Sequence, residues 1–191
     1  MRITVLDGHP NPDSFCAALA SRYVDAAEQA GHDVRRLVVR DMQFDPILWK
    51  GYREVQALEP DLVAAQQAIA WCRHLVVVHP VWWGSMPALL KGFFDRTLLP
   101  GWAFKYRKGS PFWDRLLEGR SARLIVTSGA PALYMKVAYR NAPIVVDHKM
   151  ILGFCGFKPV RVTTVGSLDD LDDEQRQKAL ERIALLGKAG R

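Results

Sequence analysis

Three short segments of this 191-residue chain carry residue types that could hold and work on a ligand. The first is Gly8-His9-Pro10-Asn11-Pro12-Asp13-Ser14-Phe15, which places turn formers and a hydroxyl just ahead of a helical run. Free backbone N–H groups and the dipole at a helix start attract phosphate. The same residues would also make a plain loop capped by Asp13 or Ser14, and His9 is either a phosphate donor or a local hydrogen-bonding residue. The second is His79-Pro80-Val81-Trp82-Trp83-Gly84-Ser85-Met86-Pro87. Its prolines fix the path, Gly84 admits a close backbone approach, and an indole offers a broad apolar face to a flat ring. The third, Thr127-Ser128-Gly129-Ala130-Pro131-Ala132-Leu133-Tyr134, has small residues whose N–H groups can face a ligand, and a phenol that can donate. The first segment has neither GxGxxG nor GxxxxGK[ST], and the third has no GxSxG or Ser/His/Asp pattern for hydrolysis.

The elements that must position these segments alternate between strand and helix. Apolar runs predict strands at Ile3–Leu6, Val34–Val39, Leu75–Val78, Arg123–Thr127 and Val160–Val165. Helical spacing predicts helices at Ser14–Ala30, Asp61–Cys72, Ala88–Leu99, near Ala142–Leu152 and at Asp172–Leu186. In Ala88–Leu99, Leu89, Leu90, Phe93 and Phe94 form the apolar face and Lys91, Asp95 and Arg96 the polar one. Met42–Tyr52 reads as a long irregular connection, and Trp102–Trp113 as an aromatic and basic stretch. Such alternation implies right-handed crossovers and an α/β fold, a doubly wound five-stranded parallel sheet with helices on both faces. Ligands bind outside the carboxyl ends of such strands, where all three segments fall. An anion cradle beside an aromatic surface suits a planar cofactor that bears phosphate.

Length and composition predict one soluble domain spanning residues 1–191, with 49% hydrophobic and 24% charged residues. The short apolar run after Met1-Arg2 is no secretory signal, so a cytoplasmic location is expected. Cys16, Cys72 and Cys155 are scattered and lack metal-ligand spacing, so no metal site is expected. The net charge of +6 suits an anionic cofactor, but no helix or loop gathers a basic stripe, which argues against nucleic acid.

With these residues in place, the chain resembles the flavodoxin-like NAD(P)H:quinone reductases. That group includes FAD-containing quinone reductases and the FMN- or FAD-binding ancillary subunits of glutathione-gated potassium efflux systems. The resemblance covers most of the chain and is most specific over Pro80–Tyr106, PVWWGSMPALLKGFFDRTLLPGWAFKY, which is similar to the family's P-x-x-W-x-x-x-P-x-x-L-K signature and the lid after it. Gly8-His9-Pro10 with Ser14-Phe15, Asp61-Leu62-Val63 with Gln66, and Phe154-Cys155-Gly156-Phe157 support it.

The resemblance implies that His9, Ser14 and Phe15 lie along the flavin's phosphate and ribityl chain, with Gln66 near it. Pro80, Val81, Trp82, Trp83 and Gly84 would border the isoalloxazine, and Thr127, Ser128, Gly129 and Ala130 its polar edge. Tyr134 would be the catalytic tyrosine beside the reacting ring. The family's pocket is shared across a homodimer, so Trp102, Phe104 and Tyr106 would cover the partner's flavin. The cofactor implied is FAD or FMN, with FAD favoured. The reaction implied is ping-pong hydride transfer from NADH or NADPH to flavin N5 and then to a quinone or another flat acceptor, such as an azo or nitro compound.

One family feature is missing. The family tyrosine is paired with a histidine a few residues on, and Lys136–Asn141 contains none, which leaves Tyr139 and His148 as candidates for its place. A different class of function, a flavin-bearing regulatory partner of a potassium/proton antiporter, is the alternative. A flavodoxin-type electron carrier fits poorly because such carriers are strongly acidic.

Overall fold

The apolar runs form seven strands, β1 (Arg2–Asp7), β2 (Asp33–Val38), β3 (His74–Pro80), β4 (Phe104–Tyr106), β5 (Trp113–Arg115), β6 (Ser121–Thr127) and β7 (Val160–Val165). Five of them make one parallel sheet in the order β2-β1-β3-β6-β7. The computed structural model describes residues 1–191. The central strand β3 is buried along its whole length, as its unbroken apolar run requires, whereas β2 at the edge is half exposed. The order reverses between β1 and β3, so the loops after these two strands flank the switch point where doubly wound sheets bind ligands.

Six α-helices cover the sheet: α1 (Phe15–Gln29), α2 (Pro60–Trp71), α3 (Ala88–Thr97), α4 (Ala132–Val137), α5 (Ala142–Val145) and α6 (Asp173–Lys188). One face, with Ile3, Val5, Val76 and Ile125, packs on Leu19 and Tyr23 of α1 and Ile183 of α6. The other, with Leu6, Leu75, Val77 and Leu124, packs on Leu62 and Ile69 of α2 and on Leu90 and Phe93 of α3. α6 opens on a full capping box, Asp172 accepting from the Gln175 backbone N–H and the Gln175 side chain accepting from Asp172 N–H. No helix is long and apolar enough to cross a membrane.

The structure departs from the sequence reading in three places. Arg96, assigned to the polar face of α3, is fully buried. Its guanidinium donates to Asp45 O, to Ala57 O at 2.8 Å and to Glu59 Oε2 at 2.8 Å, and so ties down the irregular connection. Part of the Trp102–Trp113 stretch is a small antiparallel hairpin, β4 against β5, whose three-residue strands are too short for an alternation to show. The region near Ala142–Leu152 is helical but irregular, with α5 running into a π-helical segment, Val146–Gly153, and the short α4 preceding it after Pro131.

Candidate functional site

The first loop hangs from a buried carboxylate. Asp7 ends β1 and pairs with Arg40 Nη1 at 2.9 Å and Arg36 Nη2 at 3.3 Å. Arg40 also donates to His9 O at 3.1 Å, and His9 N donates to Asp7 Oδ1 at 3.3 Å. At Gly8 the backbone passes close to α3: a Cβ there would fall 2.6 Å from the Leu90 side chain, which would have to shift. Burial holds His9 below the ordinary histidine value, against the pull of Asp7, so the ring is neutral near pH 7. Its Nδ1 accepts from Asn11 N at 2.9 Å, which leaves the proton on Nε2 as a free donor. Ser14 is the N-cap of α1, its Oγ accepting from Ala17 N at 3.2 Å. The capping reading of Ser14 is therefore realised, and its O–H and the remaining N–H groups of the first turn stay available to an anion. Phe15 packs on the α1/α6 core beneath the Arg176 guanidinium, 5.3 Å away.

The second loop is a tight turn. Trp82 N donates to Ser85 O at 2.8 Å and Ser85 N donates to Trp82 O at 3.0 Å, with Trp83 and Gly84 between them at φ +50° and +70°. Two left-handed central residues are what a type I′ turn demands, and glycine supplies only one of them freely. The outcome is an outward-turned Trp83 ring with 105% relative exposure. Trp82 is half covered and meets the His9 ring edge-on at 5.2 Å, which joins the first two loops. Val81 N donates to Thr127 O at 2.8 Å, which joins the second loop to the third.

Thr127 is buried with its Oγ1 3.1 Å from Cys16 Sγ, and burial pushes the Cys16 thiol up to about 12, out of the reactive range. Ser128 Oγ donates to Ala130 O at 2.8 Å, so this hydroxyl braces its own loop. Gly129 faces out, with Asp169 Oδ2 3.1 Å from where a Cβ would stand. Tyr134 lies on α4, exposed, its ring 5.4 Å from Tyr139 and nearly perpendicular to it. The Tyr134 hydroxyl raises Tyr139 above the ordinary tyrosine value. Of the two candidates for the missing histidine's place, Tyr139 is therefore the one beside Tyr134. His148 is engaged elsewhere, its Nε2 3.0 Å from Val160 O.

A cleft of about 440 Å³ opens between the second loop and the α4–α5 region, lined by Val81, Trp83, Gly84, Met135, Tyr139, Ala142 and Pro143. His9, Ser14, Trp82, Trp83, Gly129 and Tyr134 all belong to loops or helix starts at the carboxyl edge of the sheet. Gln66 does not: it sits between α2 and α3, donating to Thr97 O at 2.8 Å. Trp102 and Phe104 turn into their own core and only Tyr106 of that trio is exposed. Sequence reasoning overlooked Asp7 and Arg40, although a charged residue ending a buried strand is a readable signal. It also overlooked Met135 and Pro143, which nothing local singles out.

A parallel sheet in this order, with an anion-ready helix start and an aromatic turn in the two loops that flank its switch point, defines a flavodoxin-like protein. The chain belongs to the family described by its flavodoxin-like fold, which it matches over residues 1–186. It is similar to an uncharacterized NAD(P)H oxidoreductase of Haemophilus influenzae, at 27% identity over 96% of this chain and 93% of that one. It is also similar to NAD(P)H dehydrogenase [quinone] 1 of Rattus norvegicus, at 26% identity over 94% and 74% respectively. Among solved structures it superimposes on Smu.1420 of Streptococcus mutans with a TM-score of 0.83 and 29% identity, covering 99% of this chain and all of the other.

Proposed function

We propose that this protein is a flavin-dependent NAD(P)H:quinone oxidoreductase. The observation that carries the reading is the cleft beside the loop after β3, where an exposed indole on a tight turn shares the lining with Met135 and Tyr139. Family membership and the activities for which the relatives are named agree with it. The residues suit the group: a free imidazole donor and a capped helix start for phosphate, and an apolar slot for a ring. When bound, the flavin supplies hydride acceptance from the nicotinamide and delivery to the acceptor.

The protein's part is to bind, orient and hold protons. His9 Nε2–H and the first-turn N–H groups of α1 hold the phosphate, and the Ser14 hydroxyl and Phe15 line the chain beside it. Pro80, Val81, Trp82, Trp83 and Gly84 support the ring, with backbone groups of Thr127, Ser128, Gly129 and Ala130 at its polar edge. Tyr134 is the catalytic donor, and Tyr139, kept protonated by its neighbour, backs it. The cofactor is FAD in preference to FMN. The working form is a homodimer in which exposed Tyr106 covers the partner's site, a reading supported by the exposed aromatic rings of Trp49, Tyr52 and Phe112.

The test is a visible spectrum of the purified protein, identification of the released flavin, its size in solution, and NADH and NADPH oxidation with and without a benzoquinone. Quinone-dependent oxidation by a flavin-loaded dimer is expected. No flavin uptake after reconstitution, or bound flavin without nicotinamide turnover, overturns the reading. No observation favours the antiporter alternative.

A further inference from the structure

The two segments that wall the cleft also carry a pair of buried polar side chains that the proposed chemistry does not use. His79, one residue before Pro80 on β3, places Nε2 3.1 Å from Oδ2 of Asp147, with the two side chains 1% and 4% exposed. The contact lies off the axis of a linear hydrogen bond, and neither carboxylate oxygen has another partner. On the other side of the ring, His79 Nδ1 is 3.0 Å from Pro80 O. A carbonyl only accepts, so Nδ1 carries a proton. Nε2 can then approach Asp147 favourably only if the pair holds one more proton, as a carboxylic acid facing the nitrogen or as an imidazolium facing a carboxylate. Either arrangement has no net charge, which is how such a pair can lie this deep.

Its position connects it to the cleft. Val81, Trp83 and Gly84 of one wall lie two to five residues after His79, and Ala142 and Pro143 of the opposite wall lead through α5 into the segment that bears Asp147. That segment is π-helical, a rare form that is frequent at functional sites. We propose that His79 and Asp147 are a positioning pair that fixes the separation of the two cleft walls and thereby the affinity for the ring between them. The proposal rests on the flavin reading.

The test is fluorescence titration of FMN and FAD onto apoprotein, with thermal melts as a fold control. His79→Leu and Asp147→Leu are each expected to weaken flavin binding about tenfold, and the double variant by about the same factor rather than a hundredfold, because one interaction is lost once. Asp147→Asn, whose amide offers an N–H to Nε2, is expected to stay near the wild type. If either single variant fails to fold, the double variant leaves no uncompensated buried charge and is measured against Asp147→Asn. Unchanged affinity in the leucine variants, losses that multiply in the double variant, or no rescue by asparagine overturns the pair's role. Wild-type apoprotein that takes up no flavin defeats the functional reading itself, so the two failures are distinct.

Discussion

Trp83→Asn should move stability and ligand affinity in opposite directions. Trp83 holds φ +50° in a turn, and no neighbour covers its ring. A left-handed L residue costs roughly 1–2 kcal/mol, and asparagine tolerates that region far better than a bulky side chain. Truncation forfeits no folded contact, so the ligand-free protein should gain about 1 kcal/mol, a rise in Tm of about 2–4 °C for a chain of this size. Affinity should fall. A buried tryptophan covers roughly 150–250 Å², so one face stacked on a ring removes about 100 Å² from water. At about 25 cal/mol per Å² that is about 2.5 kcal/mol, from which ordering the side chain subtracts about 0.5 kcal/mol or more. The remaining ~2 kcal/mol corresponds to a flavin Kd about thirtyfold weaker. Melting of apoprotein and fluorescence titration of flavin measure the two effects separately. A lower Tm, or an unchanged Kd, would refute the assignment of Trp83 as a strained platform kept for its ligand.

Two further outcomes concern the scaffold. Burial, with Arg123 and Arg161 nearby, pushes His74 down to about 4 from 6.5. The unfolded chain therefore takes up this proton first on acidification, and stability is lost as pH falls from about 6.5 toward 4, by roughly 3 kcal/mol in all. Denaturant titrations of His74→Gln across that window should show a shallower slope than the wild type, and an equal slope would exclude His74 as its source. Gly92→Ala would place a Cβ 2.5 Å from Pro46 Cβ and 2.6 Å from Pro46 O. A loss of about 1–3 kcal/mol in a urea melt is expected, and a neutral result would mean that the connection near Pro46 yields freely.

The sheet was legible because its signal is local. An unbroken run such as Leu75–Val78 can only be buried on both faces, and Gly31 closes α1 where the apolar spacing stops. The three loops were legible because turn formers and aromatics cluster in sequence as they do in space. What escaped depends on tertiary partners. A helical wheel counts Arg96 as polar and cannot show that carbonyls from a distant loop will surround it. Gln66 matched a family position, yet its amide is spent on a helix-to-helix bond. Phe104 lies in an aromatic stretch suited to a lid, but Phe154, 4.9 Å away, draws it inward. The His79–Asp147 contact joins segments separated by a whole strand and its crossovers, so no local pattern carries it.

The connection between β2 and α2 has little regular structure, yet Arg96 fastens it through the carbonyls of Asp45 and Ala57 and the carboxylate of Glu59. A segment anchored at its two ends by one guanidinium inside the core cannot open piecemeal without stranding a buried charge. Its exchange behaviour should follow the sheet more than that of ordinary surface loops. The cooperative unit of this protein thus extends past its strands and helices to include a stretch that secondary structure alone would count as periphery.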